Sequence, residues 1–229
     1  MATPASKTGT IELRFSSIQP LVVTSAPELN EVIVIVVKMT VSIAACALGY
    51  GVMNLLMAAT PIAMAQCSHP FASAALVLEW HVLGMFVPSF FTGSLIKRFG
   101  CLPVMAVGVA LNAVCIAVAL AGVELMHFTA ALLMLGVGWN FLFIGGTTLF
   151  TQAYRPEEKT TAQAAMDTVI FTTMTLTSFS SGALVTTRGW ALLNLGSILP
   201  VALAGLALAW LALQRRTEQN RAPTQGGVT

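Results

Sequence analysis

Three ionisable side chains, Glu79, His81 and Asp167, lie within long apolar stretches of this 229-residue chain. A charged group at membrane depth costs about 3 kcal/mol or more, so each of the three needs a functional or a structural reason. Glu79 and His81 are two residues apart, which on a helix directs them to different faces, so we do not expect one shared site. Either side chain could carry a coupling proton. The alternative is that Glu79 lies in water at the membrane edge.

Asp167, the only aspartate, is expected on the same side of the membrane as Lys97 and Arg98. One hypothesis is an ion pair that closes this side in one conformation and breaks in another. The alternative is a static pair or a hydrated helix end. Both interpretations follow from the same three residues.

Asn54, Trp139 and Asn140 lie near the middle of apolar stretches rather than at their ends. A tryptophan in that position does not anchor the membrane interface, where this residue type is enriched. Asn140 or Asn54 could hydrogen-bond a solute while Trp139 stacks against it. The alternative is packing between helices, with each asparagine contributing about 1 kcal/mol.

The apolar stretches that hold these residues are long enough to cross a bilayer, which takes about 20 residues. Backbone polar groups in lipid must be satisfied within the segment, so helices are expected. We predict an all-α, polytopic membrane protein whose six-helix domain covers residues 32–213, preceded by a segment 1–31 and followed by a polar tail 214–229. The six predicted helices cover residues 33–64, 71–96, 102–123, 126–153, 157–185 and 189–213.

Two further features of the sequence concern the shape and the surroundings of these predicted helices. Pro88 and Pro200 lie near the middle of their helices and predict kinks. The fifth helix is rich in hydroxyls, which form two stripes that suit either a wet cavity or a tight helix contact. The stripes are Thr168, Thr172 and Thr175 on one face, and Thr173, Thr177 and Ser180 on another.

Composition narrows the class of protein. Charged residues are 9% of the chain, against about 25% in soluble domains, and no basic cluster predicts nucleic-acid binding. The four cysteines are scattered, so neither a disulfide framework nor a metal site is indicated, and no cofactor is predicted. No enzyme is predicted, because H-E-x-x-H is absent, one aspartate cannot form a dyad, and Gly196-Ser197 lacks a nucleophile-elbow pattern.

The basic residues predict the orientation. With six spans, all of the 11 lysines and arginines except Arg188 fall on the side that also holds both termini. Basic loops stay in the cytoplasm, so both termini are expected there.

The turn after the second predicted helix reads Gly93-Ser-Leu-Ile-Lys97-Arg98-Phe-Gly100. It resembles the G-x-L-x-D-R-x-G-R motif of major facilitator transporters, with Lys97 in place of the aspartate and Cys101 in place of the last arginine. Residues 81–93 and 139–146 resemble bacterial permeases of this family more specifically. The resemblance implies helices seven to twelve of a twelve-helix transporter, a half built of two three-helix inverted repeats.

The resemblance further implies a secondary transporter in the bacterial inner membrane that moves a small organic solute by alternating access, with the proton as a candidate coupling ion. Gly93, Lys97, Arg98 and Gly100 would belong to its gating turn. Trp139 and Asn140 would lie on the tenth helix, which lines the central cavity. Such a half needs a second six-helix half or a homodimer. The alternative function is a non-transporting membrane scaffold or assembly subunit made from half of the fold.

Overall fold

The computed structural model describes residues 26–221, and the side chains of residues 31–217. This part of the chain consists of helices and short turns, without a strand. The helices are α1 (Ala26–Gln66), α2 (Phe71–Phe86), α3 (Ser89–Phe99), α4 (Cys101–Ala121), α5 (Leu125–Thr151) and α6 (Lys159–Arg221), with one 3₁₀ turn at Pro156–Glu158. The terminal basic residues Lys7 and Arg14, used above for orientation, lie outside the described residues.

Five helical segments within the described residues are long and apolar enough to cross a membrane. In this count α2 and α3 form one segment, Phe71–Phe99, and the last segment, Pro156–Thr217, has 62 residues. A span needs only about 20 residues, so this last segment has the length for more than one crossing. The prediction of an all-α, polytopic membrane protein is confirmed.

The backbone of α6 breaks at Gly189, whose φ of 78° lies in the left-handed region that favours glycine. Before this break, Met166 packs in one cluster with Cys46 of α1. Further along, the Ser181 hydroxyl donates a hydrogen bond of 2.9 Å to the Leu55 carbonyl. Residue numbers therefore rise together in the two helices, so residues 159–188 run parallel to α1.

After the break, α6 packs against α4 in the opposite sense. The Trp190 indole N–H donates to the Ala119 carbonyl at 3.1 Å, whereas Leu211 packs with Cys101 at the other end of α4. Because α1 and α4 both run antiparallel to α5, the chain reverses direction near Gly189. This reversal supports two separate helices at 157–185 and 189–213, although a sixfold passage through the membrane stays a prediction.

Several helix bounds differ from those expected. Within the described residues α1 already includes Ala26 and α6 still includes Arg221, so both predicted flanking segments, 1–31 and 214–229, are helical in part. The helical hydrogen-bond pattern of the second predicted helix is interrupted at Val87–Pro88, where the kink is expected, while both residues keep helical backbone angles. Proline lacks the N–H that would continue the helical hydrogen-bond pattern. Pro200 lies within α6, where Gly189 is the residue with non-helical backbone angles.

Helix α5 lies at the centre of the bundle, in contact with α1, α2 and α4. In the most apolar 18-residue stretch of α5, 56% of the residues are buried, against 28–39% in the corresponding stretches of the other spanning segments. Glycines bring the helices close together: a Cβ added to Gly138 would lie 2.9 Å from the Gly108 carbonyl oxygen of α4. Small residues of this kind permit close backbone approach in membranes. Helix α5 therefore places Trp139 and Asn140 where several helices meet.

Candidate functional site

Three aromatic rings from α1 and α5 form a group that we call the aromatic cluster: Tyr50, Trp139 and Phe143. The Trp139 and Phe143 rings are stacked, with centroids 5.1 Å apart and an angle of 8° between their planes. Tyr50 meets each of them edge to face, at 5.1 Å and 5.5 Å. These are the separations and angles that aromatic pairs prefer. Tyr50 and Phe143 are only half-buried, so the cluster reaches the surface of this bundle.

Trp139 carries the polar group of the aromatic cluster that lacks a partner. Its side chain is 6% exposed, and its indole N–H is buried without a hydrogen bond to any described residue. A buried donor left without an acceptor costs about 1–3 kcal/mol. In this conformation the N–H is closed off, so a solute reaches it only after the cluster rearranges. A flat solute with a carbonyl oxygen would then supply both the acceptor and a ring to stack, which makes this cluster the candidate binding site.

Asn140 follows Trp139 on α5 but faces α2 and α3, at the break between them. Its amide nitrogen donates to the Met85 carbonyl at 2.7 Å and to the Ser89 hydroxyl at 2.6 Å. Its amide oxygen lies 2.7 Å from the Thr92 hydroxyl. We call these four residues the Asn140 clasp. The side chain is 1% exposed and its polar atoms are occupied by the protein, so a role toward a solute stays a prediction.

Asn54 joins α1 to α6 rather than facing an open space. Its amide nitrogen lies 3.0 Å from the Met174 carbonyl, 3.0 Å from the Thr177 hydroxyl and 2.8 Å from the Ser178 hydroxyl. An amide has two hydrogens to share among these three acceptors. The side chain is 6% exposed. In this conformation Asn54 holds α1 and α6 together, and its contact with a solute stays a prediction.

The two hydroxyl stripes of α6 have different surroundings. Thr173 and Thr177 are half-buried against α1, where a Cβ added to Gly51 would meet Thr173 at 2.9 Å. Thr168, Thr172 and Thr175 are exposed instead. They share an open groove of about 480 Å³ with Asp167 and Phe171. Two residues of one stripe thus form a helix contact, whereas its third residue, Ser180, is exposed. The other stripe leaves hydroxyls and a carboxylate uncovered by this bundle, beside the apolar Phe171 and Leu176.

Glu79 and His81 lie on different faces of α2, as expected. Glu79 is exposed and borders an open groove of about 650 Å³ on the outer face of α2. His81 is 0% exposed. Its Nδ1 lies 2.8 Å from the Leu132 carbonyl, to which it donates, and its Nε2 has no partner among the described residues. Of the two candidates for a coupling proton, only Glu79 is reached from the surface in this conformation.

The turn from Gly93 to Gly100 ends α3. A Cβ added at Gly93 would meet nothing within 4 Å, whereas Gly100 has a φ of 89° and lets the chain turn directly into α4. Lys97 and Arg98 are exposed, and the Arg98 guanidinium lies 5.2 Å above the Phe99 ring. Helix α3 packs on α2, α4 and α5. No ion pair joins Asp167 to Lys97 or Arg98 among residues 31–217. Because the hypothesis has the pair broken in one of two conformations, the gating pair stays a prediction.

Sequence reasoning missed several residues of these contacts, namely Tyr50, Phe143, Ser89, Thr92 and Ser178. Tyr50 and Phe143 sit in ordinary apolar stretches and carry no pattern of their own. Ser89 follows Pro88 directly and Thr92 lies one turn further on. Hydroxyls near a proline in a membrane helix are a signal that freed backbone groups need partners. Among the described residues no group of three or more His, Cys, Asp or Glu side chains could hold a metal ion.

The chain belongs to the Major Facilitator Superfamily, because its sequence matches that family over residues 41–228. It is similar to the riboflavin transporter RfnT of Brucella anthropi, with 44% identity over 157 residues, which is 69% of this chain and 39% of that protein. It is also similar to two uncharacterized MFS-type transporters of Bacillus subtilis, YddS and YdeG. Each of these is 30% identical over 155 residues, which is 66% of this chain and 36% of the relative.

The matches therefore span well under half the length of these curated relatives. No solved structure matches the chain. The family and the apolar helices establish an integral membrane protein of a transporter family.

Proposed function

We propose that this chain forms the solute-binding six-helix half of a secondary transporter in a bacterial inner membrane, with both termini in the cytoplasm. It works by alternating access together with a second six-helix body. The observation that carries this proposal is the exposed polar face of α6 formed by Asp167, Thr168, Thr172 and Thr175.

This polar face lies on a helix of membrane-spanning length, where ionisable groups face a bundle interior or a water-filled cavity rather than lipid. The exposed face of α6 after Gly189 gives the contrast, because residues 191–213 expose no charged or hydroxyl side chain. The face before Gly189 carries Asp167 and hydroxyls beside the exposed Phe171, Leu176 and Phe179. Leu199 is 65% and Leu206 is 67% exposed. The second part is therefore suited to lipid, whereas the first part needs a second body or water against it.

The aromatic cluster supports a planar aromatic solute with hydrogen-bond acceptors. Trp139, Tyr50 and Phe143 offer stacking surfaces, and the buried Trp139 N–H offers an unused donor. The relative RfnT is a riboflavin transporter by name, and riboflavin has this chemistry: a flat ring system edged by carbonyl oxygens. We therefore assign the cluster to a riboflavin-like solute, and Glu79, on an exposed face, to the coupling proton.

A chimera tests the proposal. The segment of RfnT that matches this chain is replaced by the corresponding residues of this chain, and uptake of labelled riboflavin is measured in bacteria that depend on imported riboflavin. We expect uptake above that of cells without the transporter. Trp139→Ala in the chimera should lower uptake about tenfold or more, because it removes both the stacking ring and the donor.

The matched control is Trp210→Ala, which removes a tryptophan that is 48% exposed on the second part of α6. It should leave riboflavin uptake within about twofold of the unaltered chimera, because surface substitutions usually have small effects. A chimera that is inserted and stable but takes up no riboflavin would contradict the assigned solute. If it also binds no other small solute, the non-transporting scaffold becomes the better account.

A further inference from the structure

The break between α2 and α3 leaves backbone groups that the helix itself does not satisfy. Pro88 has no N–H to donate. After Pro88, the Phe90 N–H donates to the Val87 carbonyl at 3.3 Å and the Phe91 N–H donates to the Pro88 carbonyl at 3.0 Å, each three residues back along the chain. The Met85 carbonyl takes its hydrogen bond from the Asn140 amide, at 2.7 Å. In a membrane such an unsatisfied carbonyl would cost several kcal/mol, so its partner fixes the local structure.

The Asn140 clasp holds the two sides of this break at once. One amide hydrogen goes to Met85, at the end of α2, and the other to Ser89, at the start of α3. Thr92 is 0% exposed, and its hydroxyl lies 2.7 Å from both the Asn140 oxygen and the Pro88 carbonyl. Its single proton serves one acceptor at a time. Thr92 can therefore release Asn140 without leaving a donor unpaired.

Helix α2 has a second attachment to α5 that does not involve the clasp. His81 donates to the Leu132 carbonyl, and a Cβ added to Gly136 would lie 2.5 Å from the His81 carbonyl oxygen. These contacts hold α2 against α5 on the N-terminal side of the break. Helix α3 lies beyond the break and ends at the turn with Lys97 and Arg98. The interrupted hydrogen-bond pattern at Val87–Pro88 is therefore the point at which α3 would move relative to α2.

We propose that Asn140 is a positioning residue that couples the aromatic cluster to the turn at the end of α3. Trp139 and Asn140 are consecutive, so their side chains leave α5 about 100° apart. Trp139 faces Tyr50 of α1, and Asn140 faces the break. A solute that shifts Trp139 shifts Asn140 with it, and the clasp passes this shift to α3 while α2 stays attached. This coupling rests on the proposed function, because it assigns the aromatic cluster to the solute.

Hydrogen exchange of the 229-residue chain in lipid nanodiscs tests the clasp without any transport. The variants are Asn140→Leu and the nearly isosteric Thr92→Val. The control is Asn112→Leu, since Asn112 is likewise a buried asparagine, 1% exposed, on the neighbouring helix α4. We expect amide exchange in residues 89–99 to rise about tenfold in both variants, as for the loss of one or two hydrogen bonds. Exchange in α2 should stay unchanged, as should exchange in α3 of the control.

The proposal is overturned if α3 keeps its protection in both variants, or if Asn112→Leu exposes α3 equally. Thr92→Val decides the matter should Asn140→Leu fail to fold. In the riboflavin chimera, Asn140→Leu should lower the maximal uptake rate at nearly constant KM, whereas Trp139→Ala should raise KM. If the chimera shows no uptake, the proposed function fails while the exchange data still decide the clasp. An increase of KM alone in Asn140→Leu would refute the coupling.

Discussion

Gly136 is the residue at which one added methyl group should most disturb the bundle. Its backbone lies against α2, where an added Cβ would be 2.5 Å from the His81 carbonyl oxygen and 2.9 Å from the Met85 nitrogen. Ordinary contact begins at 3.4 Å. Both obstacles are backbone atoms, so they cannot move aside as the end of a flexible side chain can. In Gly136→Ala the helices α2 and α5 must separate.

Overpacking of this kind costs about 1–3 kcal/mol. The separation also strains the hydrogen bonds that cross the same interface, from His81 to the Leu132 carbonyl and from Asn140 to the Met85 carbonyl. We therefore expect Gly136→Ala to lower the free energy of unfolding by about 2 kcal/mol, a factor of roughly 30 in the folded-to-unfolded ratio.

The assay is reversible unfolding of the purified chain in mixed micelles, followed by circular dichroism as the denaturing detergent increases. Gly196→Ala is the control, because a Cβ at Gly196 meets nothing within 4 Å. It should be neutral, or stabilising by up to about 1 kcal/mol through helix propensity. Equal stability of the two variants would refute the close packing of α2 on α5.

Three further predictions concern single polar side chains. Asn54→Leu should lower the free energy of unfolding by about 1 kcal/mol, because it removes hydrogen bonds between α1 and α6. The amide nitrogen of Asn194 bonds the Trp190 carbonyl of its own helix, so Asn194→Leu should lower the free energy of unfolding less. Equal losses in the two variants would contradict this prediction. Asp167→Asn should leave the stability of the isolated chain unchanged, since the carboxylate is exposed. It should lower riboflavin uptake by the chimera several-fold, and unchanged uptake would exclude Asp167 from a gating role. Glu79→Gln should abolish the acceleration of uptake by an imposed proton gradient while solute exchange continues; persistent acceleration would exclude Glu79 as the coupling group.

The helices were largely predictable from the sequence because lipid imposes simple requirements. Apolar stretches without charges must form helices of spanning length, and the structure places helices over all of the predicted ones. Pro88 was a sound signal for a break, since proline removes a donor. The helical residues 26–31 and 214–221 were not predicted, because polar residues permit a helix to continue without requiring it.

The candidate site was predictable only in part. The position of Trp139 in mid-helix marked it as unusual, but its partner Tyr50 is 89 residues away in sequence, and no local pattern joins them. The Asn140 contacts reach back 48–55 residues. Whether a buried asparagine meets a solute or a neighbouring helix depends on which helices pack together. That choice is made by tertiary packing, which helical periodicity in one segment does not encode.

The central claim is that α6 presents a polar face to a water-filled space before Gly189 and an apolar face to lipid after it. One cysteine is introduced at Thr172 or at Leu206, in a chain whose half-buried Cys67 is replaced by serine and whose other three cysteines are buried. Each variant is treated with a membrane-impermeant maleimide in cell membranes. We expect Thr172→Cys to react about tenfold faster or more than Leu206→Cys, because the reagent reaches thiols only through water. Equal reaction at both positions, or faster reaction at Leu206→Cys, would contradict the account.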